Sequence, residues 1–177
     1  MSTAYAQIPI GVVVARRAAA SRWIDYTWQP VSLMVGQAET APWTKLSEDG
    51  ETTTFYAGSA MFDLYRGDTA SYRDNLVGDN AVWVILRPSA GEFPYDLARV
   101  TVDPSEADAF AGAGDNIVES LPMPDKLRDL VAAFVAEHHV EREFFKRKRT
   151  AADPEALARH SPLHDGQSTR KAGERKS

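Results

Sequence analysis

Histidines beside carboxylates have the widest chemical reach of any residues in this sequence. They cluster in Glu137-His138-His139-Val140-Glu141-Arg142-Glu143. On a helix His138 and Glu141 share a face, as do Glu137 and Glu141, because residues three and four apart are neighbours. Such a pair can move protons or ligate a cation, and His138 with Glu141 is the set a small hydrolase would use. A metal centre, however, needs three or four converging ligands with supporting partners. Adjacent histidines on a helix diverge by about 100°, so they cannot both reach one ion. The expected arrangement is a solvated helix face with one histidine tucked against a sheet, with no catalytic set, no resident metal and no cofactor.

The next chemical signal is charge. Phe144-Phe145-Lys146-Arg147-Lys148-Arg149 follows Arg142, so five cations fall within eight residues. Cations at a helix C-terminus complement its dipole, but five exceed that need, and they predict a contact with an acidic or phosphate-bearing partner. Four tryptophans are present. Trp83 stands in the apolar run Ala81-Val-Trp-Val-Ile-Leu86 and reads as core. Trp23, Tyr26 and Trp28 cluster by an expected sheet edge, where they either pack into the core or form a recognition surface. The predicted partner-binding residues are Arg142, Lys146, Arg147, Lys148, Arg149, Trp23 and Trp28. Gly112-Ala-Gly114 is no phosphate loop, because it follows a helix and lacks the lysine or third glycine that such loops use.

The elements that must position these residues follow from periodicity. Ile8–Arg17, with Ile10-Gly-Val-Val-Val14, reads as a buried strand. Trp23–Val35 reads as a second, with Pro30 at an edge or bulge. Glu48-Asp49-Gly50 marks a turn between two strands. After it, Ala60, Phe62 and Leu64 share one face, and Gly58 marks a bulge or bend. A short helix spans Thr69–Val77, then strands return at Ala81–Leu86 and Tyr95–Val102. Asp103-Pro104-Ser105-Glu106 has the residues of a helix start, and that helix stops at Gly112-Ala-Gly114. Asn116–Leu121 is a last short strand. A long helix then starts after Pro124, with Leu127, Leu130, Val131, Phe134 and Val135 on one face, and is expected to run on through Phe144 and Phe145. The expected fold is α+β, a mostly antiparallel β-sheet or small partly open barrel capped by that helix. A single domain spans residues 8–150, between a flexible N-terminus (1–7) and a disordered basic tail (151–177).

Composition narrows the class. The 177 residues suit one domain. The absence of cysteine excludes disulfides, thiolate metal sites and a cysteine nucleophile. The first residues lack the basic and apolar regions of a signal peptide, and no apolar run approaches the roughly 20 residues of a spanning helix, so a cytoplasmic location is expected. The net charge of −5 is unevenly placed. Residues 1–141 hold 20 acids and 10 Lys or Arg, and residues 142–177 hold 5 acids and 10 Lys or Arg. An acidic body argues against a nucleic-acid grip by the domain itself.

Several stretches together resemble a proteobacterial family of unknown function. They are Ile8-Pro-Ile-Gly-Val-Val-Val-Ala-Arg-Arg17, Trp23-Ile-Asp-Tyr-Thr-Trp28-Gln-Pro-Val31, Tyr65-Arg66 with Tyr72-Arg-Asp-Asn-Leu76, Val118-Glu-Ser-Leu-Pro-Met-Pro124, His138-His-Val-Glu141 and Phe145-Lys-Arg-Lys-Arg149. Members tend to be encoded beside molybdenum-dependent formate dehydrogenase and its maturation proteins, and some are labelled as molybdopterin-guanine dinucleotide synthesis proteins. The resemblance therefore implies a non-catalytic accessory module assisting assembly or regulation of a molybdoenzyme, with a protein partner. An enzyme of molybdenum-cofactor biosynthesis is the alternative, although its phosphate-binding loop would need more than the single Gly11 of this N-terminal strand. A nucleic-acid binder acting through Arg142–Arg149 is the third reading.

Overall fold

In a computed structural model, residues 6–36 and 38–140 are described. Strand β1 (Ala6–Ala18) is the axis of the first sheet. It pairs antiparallel with β2 (Tyr26–Val35) on one side and β4 (Thr52–Leu64) on the other, and β3 (Thr44–Asp49) pairs with β4 to give the order β2-β1-β4-β3. β-branched residues crowd β1 because it is covered on both edges and its inner face lies in the core. Ile10, Val12 and Val14 are fully buried there.

Two irregularities shape this sheet. The β1–β4 register slips between Val12 and Val13, opposite Gly58, whose φ of 114° is open to glycine and costly for other residues. The expected bulge at Gly58 is therefore present. The β1–β2 register slips between Val13 and Val14, next to Pro30, which has no N–H to give the ladder. The β3–β4 turn is made by Gly50, at φ 57°, and Glu51.

After a 3₁₀ turn at Arg66–Asp68 and helix α1 (Thr69–Val77), a second antiparallel sheet forms in the order β6-β5-β7. Its strands are β5 (Ala81–Pro88), β6 (Tyr95–Thr101) and β7 (Ile117–Pro122). Helix α2 (Pro104–Ala111) starts as its residues predict, with Asp103 accepting from the Ser105 amide at 2.9 Å. It packs on all three strands of the second sheet. The two sheets face each other, β4 beside β6 and β2 beside β7, without closing into a barrel. Between them Ile10, Val12, Val14, Phe62, Leu64, Val82, Val84, Leu86 and Val100 form one core, joined by Leu127, Val131 and Phe134 of helix α3 (Asp125–His138).

The structure corrects three sequence expectations. Trp83 is not core. Val82 and Val84 take the inner face of β5, so alternation turns Trp83 outward, half-buried against an open cleft shared with Asp79, Asn80 and Ser120. Strand β2 starts at Tyr26 rather than Trp23, because the Ser21 hydroxyl accepts from the Trp23 amide at 3.1 Å and holds a local turn in place of a ladder. Helix α3 ends at His138, after 14 residues. His139 is extended, and its ring bonds to the Thr69 hydroxyl at 3.2 Å and to Arg73 at 3.3 Å. The expected helical continuation therefore breaks before Phe144, which itself lies outside the described residues.

Candidate functional site: an arginine on an aromatic platform

The inner face of β1 does not end with its last core valine. Alternation from Val12 and Val14 brings Arg16 onto the same face, where the register places it between Trp28 of β2 and Thr53 of β4. An arginine there must either find a carboxylate or lie on apolar surface, and Arg16 does the second. Its guanidinium carbon sits 4.4 Å from the ring centre of Tyr26, 5.3 Å from Phe55 and 5.9 Å from Trp28. Those distances suit cation–π attraction. One N–H reaches the Thr53 hydroxyl at 3.4 Å.

The rings around it form a continuous cluster. Trp43 and Phe93 stack nearly parallel with centroids 4.9 Å apart. Trp28 meets both edge-on, at 5.9 Å and 6.2 Å, and Phe55 lies 5.7 Å from Trp28 and 5.4 Å from Phe93. Phe93 arrives from the loop between β5 and β6, and Trp43 from the segment before β3. Trp43 adopts φ 63°, a left-handed conformation that costs a bulky residue on the order of 1 kcal/mol. Its amide donates to the Tyr56 carbonyl, and the stack with Phe93 holds the ring in place.

Beside the platform the β1–β2 connection carries its apolar residues outward. Trp23 is 86% exposed and Ile24 is 53% exposed. The Arg22 guanidinium lies 5.9 Å from the Trp23 ring centre, and Arg17 donates to Gln29 at 3.0 Å. The cationic field reaches the neighbouring edge: Glu48 is held below the usual carboxylate range mainly by its hydrogen bond to Lys45, with a smaller contribution from Arg16.

Of the partner-binding residues expected from sequence, the structure separates Trp23, which is exposed, from Trp28, which is half-buried in the aromatic cluster. Arg142, Lys146, Arg147, Lys148 and Arg149 lie outside the described residues. The sequence reading missed Arg16, Trp43, Phe55 and Phe93. Only Arg16 left a signal, as the one cation in phase with the buried valines. Trp43 and Phe93 come from loops, where no periodicity applies.

The other polar clusters are structural in form. The half-buried Arg99 on β6 gives its fork to Asp63 of β4 at 3.0 Å and Glu106 of α2 at 2.8 Å, tying both sheets and a helix together. Gln7 of β1 also donates to Asp63 at 2.8 Å. Burial, reinforced by Asp103 and Glu106, pushes the Asp68 carboxyl above its ordinary value. The His138 side chain is nearly buried and its ring meets Phe134 edge-on at 4.6 Å, whereas His139 turns toward α1. The two rings diverge, and among the described residues no three His, Asp or Glu side chains are grouped to hold a metal. Nor is any helix among them long and apolar enough to cross a membrane.

No curated protein matches the chain. No solved structure matches it either. A model of the family described as protein of unknown function (DUF3305) matches residues 9–149, and the chain belongs to that family.

Proposed function

We propose that this chain is a non-catalytic accessory module that docks a protein partner through its β1–β2 end, assisting assembly or regulation of a molybdoenzyme such as formate dehydrogenase. The observation that carries the docking surface is Trp23, exposed to 86% beside Ile24 in the connection that leads into Tyr26 and Trp28 of the aromatic platform. An exposed tryptophan–isoleucine pair loses hydration cost when covered, and tryptophan and arginine are the residues that most often dominate binding energy at interfaces. The molybdoenzyme assignment rests on the family resemblance of the sequence. The biosynthetic alternative is disfavoured by the architecture, since a nucleotidyltransferase of that kind is built on a parallel α/β core and both sheets here are antiparallel. A second contact through Arg142–Arg149 is proposed on charge alone.

The test is affinity capture from the native cell extract with the full chain and with Trp23→Ser/Ile24→Ser. The full chain is expected to recover a dehydrogenase subunit or maturation protein, identified by mass spectrometry. The double variant should keep its melting temperature and lose most of that recovery. Recovery of neither class of protein, or equal recovery by both chains, would overturn the proposal.

A further inference from the structure

Arg16 differs from the other half-buried arginine of the fold. Arg99 has two carboxylates in its fork, at 3.0 Å and 2.8 Å. Arg16 has one hydroxyl at 3.4 Å, and among the described residues no carboxylate within ion-pair distance. A guanidinium carries five N–H donors in a rigid planar fork. Most of that fork is therefore unspent, on a side chain already stripped of part of its water and fixed by three rings on the central strand of a sheet.

We infer that Arg16 receives a carboxylate of the docked partner, borne on an acidic segment with an apolar group next to the charge. This inference rests on the docking proposed above. The planar fork matches a carboxylate with two parallel N–H···O bonds, and the low-dielectric ring surface strengthens such a pair relative to water. The Trp43–Phe93 stack and Trp28 supply the apolar contact beside it. Charge selects the class of anion. A phosphate dianion gives up more hydration on a surface of aromatic rings than a single carboxylate does, so the carboxylate is the anion this surface favours.

The full chain is titrated with sodium phenylacetate, which joins one carboxylate to an apolar ring, with its neutral counterpart phenylacetamide, and with inorganic phosphate. The readout is the NMR shift of the Arg16 Nε–H and of the tryptophan indole N–H groups. Phenylacetate is expected to bind saturably and shift the Arg16 resonance. Phenylacetamide and the Arg16→Gln chain should each bind roughly tenfold more weakly or worse, the loss of one charge-assisted pair. Arg16→Lys should keep the fold and recover only part of the affinity, because an ammonium lacks the fork. No saturable shift, equal binding of phenylacetamide, or phosphate binding as tight as phenylacetate would overturn the inference. Because this test uses no partner and leaves Trp23 and Ile24 intact, it can fail while capture through those residues succeeds, and the reverse.

Discussion

A single amide shows how tightly this fold accounts for its buried polar groups. Asn75, at the buried face of α1, donates from Nδ2 to the carbonyls of Ala81 at 2.8 Å and Val102 at 2.9 Å, and accepts from the Ala81 amide at 3.0 Å. Those backbone groups lie at the start of β5 and just past the end of β6, beyond the last β5–β6 pair of Trp83 with Thr101. Asn75→Ala strands three of them, and leaving buried groups unpaired is expected to cost about 2–4 kcal/mol in denaturant unfolding. Asn75→Asp should be at least as damaging, since it replaces the donor facing two carbonyls with a further acceptor. A cost below about 0.5 kcal/mol, the range of a neutral surface change, would show that water replaces the amide freely. The Asn75 role was invisible in sequence because an asparagine between Asp74 and Leu76 looks like any polar helix position. Arg16 was half legible: its phase with Val12 and Val14 marks it as inward-facing, but its ring partners Tyr26, Trp28 and Phe55 come from two other strands, which only tertiary structure brings to it.

At the scale of elements, periodicity located nearly every strand and helix, because one buried face forces period 2 or 3.6 on the chain. Termini fared worse. Side-chain bonds decided them, Ser21 at the start of β2 and the His139 ring at the end of α3, and such bonds leave no period. Helix α3 also tests which residues of an amphipathic stripe are core. The sequence puts Leu127, Leu130, Val131 and Phe134 on one face, yet Leu127 and Val131 are fully buried while Leu130 is 40% exposed. The stripe is narrower than its apolar residues suggest, because α3 seats against α1 and the core along one line. Leu127→Ala should therefore cost about 2–5 kcal/mol, the usual penalty for a cavity in a packed core. Leu130→Ser should stay within about 0.5 kcal/mol. Equal losses at the two positions in thermal or urea unfolding would mean the helix sits rotated from this register.

For the molecule as a whole, charge is the property that most constrains its encounters. Residues 1–141 carry twice as many acids as Lys and Arg, and residues 142–177 carry the reverse ratio. Within the acidic part, the β1–β2 end gathers Arg16, Arg17 and Arg22, so two separate cationic features are set against an acidic background. A partner with an acidic face would be steered toward both, and steering acts on the association rate more than on the lifetime of the complex. Replacing Lys146, Arg147, Lys148 and Arg149 together with Ser should lower the association rate for the captured partner roughly tenfold at low salt. The dissociation rate should change little, because the exposed Trp23 and the Arg16 platform are untouched. The deficit must shrink as salt rises, since screening acts over about 8 Å at physiological ionic strength and less above it. Surface plasmon resonance at three salt concentrations separates these quantities. A fall in melting temperature of the Ser variant would assign the four cations to the fold. An unchanged association rate at low salt would place the whole electrostatic contribution at the β1–β2 end, where Arg16→Gln then becomes the variant that slows binding.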